Sequence, residues 1–88
     1  DADNGGWEVR IAQGGDYRAT VEFPAADTDR RILFTVVGAG AEGTLPAGET
    51  RLTLSGLVLP AADGRLEAFH EAGGARRGAL RVWVERVG

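Results

Sequence analysis

His70 is the only histidine of the chain and Ser55 its only serine, so a Ser–His–acid hydrolytic triad has a single composition available. Ser55 stands in Leu54-Ser55-Gly56-Leu57, which lacks the G-x-S-x-G elbow that lifts a nucleophile onto a sharp turn. Ser55 therefore reads as a turn or bulge residue and His70 as a strand-end residue beside a hairpin loop. With no cysteine there is no thiolate nucleophile either. No activated nucleophile or acid–base pair can be assembled, and the chain is not expected to be an enzyme.

Carboxylate pairs offer metal chemistry instead. Asp27 and Asp29 flank Thr28, and Asp1 and Asp3 flank Ala2. Asp1-x-Asp3-x-Gly5-Gly6 matches the opening of a calcium loop, in which a glycine at the sixth place permits a sharp turn. The twelfth place needs a bidentate Glu and holds Ala12, so the loop is not an EF-hand. A structural calcium in the loops stays open beside solvated turn carboxylates, and no other cofactor is expected. One histidine and no cysteine leave no transition-metal set.

The remaining chemistry is aromatic and cationic. Alternation puts Trp7, Phe23, Phe34 and Tyr17 on core-facing positions. Trp83 and Phe69 instead fall on the polar faces of their strands, among Arg81, Glu85, Arg65 and Glu67. Joined by a hairpin over residues 71–78, those strands would set Trp83 and Phe69 side by side. A ring stacks on the apolar face of a sugar while flanking charges bond its hydroxyls or a sulfate. Trp83, Phe69, Arg81 and Arg65 are thus the candidate ligand-binding residues. The alternative is that this face packs on another domain or on a second sheet. Arg76-Arg77, in a glycine-flanked turn, is either an anion site or solvated.

These residues need a scaffold, and composition limits which. At 88 residues the chain is one domain with no room for a second core. Its ten basic residues, all Arg, against thirteen acidic ones give a net charge of −3. That balance argues against a nucleic-acid or anionic-membrane surface, which would carry a basic stripe. No apolar run approaches the roughly 18 residues of a membrane span. Fourteen glycines are about twice the usual share of roughly 7% and indicate many turns between short strands.

Period-two alternation fills the gaps between those turns. Trp7, Val9 and Ile11 oppose Glu8 and Arg10. Tyr17, Ala19, Val21 and Phe23 oppose Arg18, Thr20 and Glu22. Gln13-Gly14-Gly15-Asp16 between these runs reads as a hairpin turn. Pro24 ends the second strand, and residues 25–31 read as a polar loop. Residues 32–37, apolar on both faces, predict an interior strand buried twice. Thr44-Leu45 is a stub. Residues 50–59 form a strand with a bulge or bend at Ser55-Gly56, residues 65–70 another, and residues 79–87 the last, with Leu80, Val82 and Val84 inward. Residues 65–72 contain helix formers, but glycines confine them to eight positions, too few for an isolated helix. The expectation is an all-β, antiparallel β-sandwich of about seven to eight short strands.

Two stretches also resemble a known family. Leu59-Pro60-Ala61-Ala62-Asp63-Gly64-Arg65-Leu66-Glu67-Ala68-Phe69, followed by Gly74-Ala75-Arg76-Arg77-Gly78-Ala79-Leu80-Arg81-Val82-Trp83-Val84-Glu85-Arg86-Val87, resembles the closing region of the C-terminal domains of bacterial arylsulfatase-type proteins. Asn4-Gly5-Gly6-Trp7-Glu8-Val9-Arg10-Ile11-Ala12, with Gly15-Asp16-Tyr17-Arg18, resembles the start of the same domain. Similar strings occur in the β-sandwich appendages of glycosidases and in galactose-binding-like carbohydrate modules, and the resemblance implies a sandwich of jelly-roll or galactose-binding-like type. The last strand departs from the usual aromatic pair, having Leu80 and Val82 with only Trp83. The sulfatase nucleophile motif C/S-x-P-x-R has no counterpart, since Ser55 is followed by Gly56-Leu57-Val58. The resemblance implies a non-catalytic accessory module, excised from a longer chain and packed on the catalytic domain of a sulfatase-like or glycosidase-like enzyme outside the cytoplasm. A carbohydrate-binding module that recognises a glycan through its aromatic and Arg face is the alternative.

Overall fold

The computed structural model describes residues 6–87. The fold is an antiparallel β-sandwich. Its strands are β1 (Gly6–Ile11), β2 (Gly15–Glu22), β3 (Arg30–Val36), β4 (Ala39–Leu45), β5 (Arg51–Leu59), β6 (Ala62–Ala72), β7 (Ala75–Gly78) and β8 (Arg81–Arg86). The larger sheet runs β1-β6-β3-β4, with β7 on the same edge of β6 as β1, and the smaller runs β5-β2-β8. The chain changes sheet repeatedly, and that crossing pattern decides which residues meet.

Alternation builds the core as the residue pattern requires. Ile32, Phe34 and Val36 of β3 and Leu66 and Ala68 of β6 are buried against Ala19 and Val21 of β2 and Leu54, Leu57 and Leu59 of β5. Ser55-Gly56 is the expected bulge. Tyr17 pairs with Leu57 and Ala19 with Leu54, so β5 carries one extra residue there. Gly56 takes φ +76° at that point, a value closed to most side chains.

Several expectations are corrected. Residues 13–16 do not make a hairpin: β1 pairs with β6, whereas β2 pairs with β5 and β8. Both runs carry core-facing side chains, and an arch between sheets turns the two sets toward each other. The Tyr17 hydroxyl, which donates to the Gln13 carbonyl, holds that arch. The Thr44-Leu45 stub is the end of a full strand, β4, joined to β3 by a tight turn at Val37-Gly38 with positive φ at both residues. β3 is interior, but only one of its faces is buried, for Arg31 and Thr35 point to solvent. The loop over 71–78 contains β7, folded back on β6 through Gly73-Gly74. Leu80 is exposed rather than inward. Between Ala79, whose N–H bonds Ala68 of the larger sheet, and Leu80, whose N–H bonds Glu22 of the smaller, the chain changes sheets and the alternation loses its phase.

Candidate functional site

The four residues singled out for a sugar site do not converge. β6 lies in the larger sheet and β8 in the smaller, so Phe69 and Arg65 stand on one outer surface of the sandwich and Trp83 and Arg81 on the opposite one. The hairpin that was to join them pairs β6 with β7 instead. Arg65 is committed to carboxylates: Nε bonds Glu67 at 3.1 Å and Nη1 bonds Glu8 at 3.2 Å, and these bonds, Glu67's first, raise its pKa above the ordinary arginine value. Phe69 lies under the Arg76 guanidinium, 5.3 Å from the ring centroid. On the far side, Arg51 covers Trp83 at 4.9 Å and Arg81 lies 3.6 Å from Glu22. Trp83 also sits across from Thr20, whose hydroxyl is 3.0 Å from that of Thr53. Thus one aromatic ring remains on each outer surface, already stacked by an arginine.

No hydrolytic site forms from Ser55 and His70. Ser55 is exposed on the bulge of β5 in the smaller sheet, whereas His70 is buried on the inner face of β6 in the larger. Far from ending a strand, His70 lies inside β6 and stacks on Phe23, with ring centroids 4.7 Å apart and planes 12° from parallel. The calcium-loop residues Asp1, Asp3 and Gly5 lie outside the described residues. Of the other carboxylate pair, Asp29 accepts the Ala47 N–H at 2.9 Å and so serves as a loop clasp. Among the described residues no three His, Asp or Glu side chains converge.

What the alternation pattern missed is Arg30. Read as part of a polar loop, it is the first residue of β3 and only 2% exposed. It points inward with Ile32 and Phe34. Nη1 donates to the Pro24 carbonyl at 2.6 Å and lies 3.1 Å from His70 Nδ1, while Nη2 donates to the Glu49 carbonyl at 2.8 Å. Its Nε is buried with no partner. Every acceptor is neutral, and no carboxylate among the described residues bridges it. The sequence signal was its place beside an alternating run, since residues 30, 32, 34 and 36 share one phase.

Arg30 and His70 form the inner wall of a cleft of about 680 Å³ at the end of the sandwich where β2 exits. Arg76 and Arg77 of β7 rim it, and Pro24 and Leu80 supply apolar surface. Cross-strand pairing sorts the two arginines. Arg77 faces His70 and shares its inward side, whereas Arg76 faces Glu71 and bonds that carboxylate at 2.8 Å. Arg77 has no acidic partner among the described residues. No Asp or Glu lines the cleft.

An arginine can only donate, so Nδ1 of His70 is its acceptor and the ring proton resides on Nε2. Burial, then the charges of Arg30 and Arg77, lower the His70 pKa below its ordinary 6.5. The ring is a neutral donor at neutral pH, set among cations. Such a constellation suits recognition of negative charge rather than proton abstraction.

No family model, no curated protein and no solved structure matches the chain.

Proposed function

We propose that this β-sandwich is a non-catalytic accessory module of a larger hydrolase, of the sulfatase or glycosidase kind, working outside the cytoplasm. It docks on the catalytic domain through β8. One observation carries the docking surface: of the four exposed large hydrophobic residues among the described ones, Leu80 (58%), Trp83 (42%) and Val87 (59%) all lie on β8 or directly flank it, with Val58 on β5 the exception. β8 is also an edge, bonded to β2 alone, and presents unpaired backbone groups beside those side chains. A small sandwich with three such side chains grouped along one edge strand offers a surface suited to being covered there. The separation of Ser55 from His70 supports a role without chemistry of its own. The parent class rests on the resemblance of the first and last strands to arylsulfatase-type C-terminal domains.

Amide hydrogen exchange tests the reading. In the full polypeptide that carries this domain, the β8 amides and the Trp83 indole should exchange more slowly than in the domain alone. Equal exchange in both would refute docking through β8. Turnover of a sulfate or glycoside ester by the isolated domain at enzyme-like rates would refute the non-catalytic role.

A further inference from the structure

We propose that the cleft between β7 and the exit of β2 binds an organic oxyanion, a carboxylate or a phosphate or sulfate ester, with Arg77 and His70 Nε2–H as its ligands and Arg30 as the buried charge behind them. The proposal goes beyond docking through β8 and does not depend on it.

Burying a guanidinium is costly unless an anion compensates it, which is why buried arginines are ordinarily paired. Arg30 breaks that pattern. Three neutral acceptors hold its fork in place without cancelling its charge, and Nε remains unbonded. The remaining groups at the cleft add positive charge instead of removing it: Arg77 lies across from His70, and Arg76 closes the rim. Among the described residues no carboxylate forms a salt bridge with Arg30 or Arg77, and three on neighbouring strands and loops are engaged elsewhere, Asp29 with the Ala47 N–H, Glu71 with Arg76 and Glu42 with Arg31. An oxyanion in the cleft receives charge-assisted bonds from Arg77 and the His70 Nε2–H and compensates Arg30 through a short, poorly screened distance. Pro24 and Leu80, which line the same cleft, favour an anion borne on an apolar group over a bare ion.

The test titrates the 15N-labelled domain with benzoate, phenyl phosphate and phenyl sulfate in parallel, with benzyl alcohol as the neutral match and sodium chloride as the ionic-strength match. Saturable shifts confined to the amides of Phe69, His70, Arg77 and Gly78 are expected for at least one anion, and the strongest arm identifies the headgroup. Arg77→Ala should weaken that binding about tenfold, the loss of one charge-assisted bond. Arg86→Ala, which removes the same charge from β8, should leave it unchanged. Arg77 and Arg86 are both exposed, so both variants should keep the fold, checked by their spectra. Shifts equally produced by benzyl alcohol or chloride, equal losses in the two variants, or no saturable shift with any anion would each overturn the proposal.

Discussion

At the scale of single residues, the inner face of the larger sheet fully buries a charged side chain, Arg30, where an apolar one would be ordinary. Arg30 ties the Pro24 and Glu49 segments together across the end of the sandwich, and His70 is its third tether. This couples folding to the protonation of His70. A histidine whose pKa is lowered on folding contributes nothing above its ordinary value, because it is neutral in both states. As pH falls through about 6.5, the unfolded chain takes up the proton first and folding stability drops, until the folded pKa is passed. The groups facing the ring are Arg30 from β3, Arg77 from β7 and Phe23 beyond β2, so no carboxylate among them opposes the effect. Urea unfolding at pH 7 and pH 5.5 should therefore show lower stability at the acid end. The difference should shrink in His70→Gln, which keeps an oxygen acceptor for Arg30 but does not titrate. An unchanged difference in that variant would assign the effect to other groups.

The elements show how far the residue pattern could be read. The positions of β1, β2, β3, β5, β6 and β8, most of their inward faces and the Ser55-Gly56 bulge follow from alternation and glycine placement, because each is decided within a few residues, whereas β4 and β7, built largely of Gly, Ala and Arg, carry too little apolar alternation to be read. Strand partners do not. The run from Trp7 to Ile11 and the run from Tyr17 to Phe23 alternate equally well as a hairpin or as an arch, and what separates the two is long-range: β1 pairs with β6, far along the chain, and β2 with β5 and β8. The same ambiguity misplaced Trp83 beside Phe69. Closeness along the chain makes β6 and β8 look like partners, whereas β7 pairs with β6 and β8 pairs with β2 in the other sheet. The cleft was half legible: Arg76-Arg77 stood out as a cationic turn, but Arg30 was hidden because burial of a charge cannot be inferred from a polar neighbourhood. Tyr17 occupies the role of the tyrosine corner that secures crossovers in Greek-key sandwiches. Tyr17→Phe should accordingly cost about 1 kcal/mol, the net worth of one hydrogen bond, in a denaturant titration. A loss near zero would mean that the arch is held by core packing alone.

Across the whole molecule, the two sheets are unequal. The larger has five strands and the smaller three, so β8 closes the smaller sheet with a free edge while β4 and β5 meet at the opposite side. The inward side chains of β8, Val82 and Val84, remain half-buried, as do Trp7 and Val9 on the edge strand β1. A domain of this size buries only about 60% of its unfolded surface, so apolar area left along one edge is a substantial part of what it has to stabilise it. Trp83 reports on that edge in two settings. In the domain alone its ring is half in water and holds Arg51 by a cation–π contact, so Trp83→Ala should cost about 1 kcal/mol. Where a neighbouring domain covers β8, the same truncation removes a buried indole and should cost about 3 kcal/mol or more. Chemical denaturation of the variant in both settings separates them, since a covered edge must enlarge the loss. If Trp83→Ala costs the same with and without the neighbour, the exposed apolar residues of β8 are merely solvated, and the accessory role loses its docking surface.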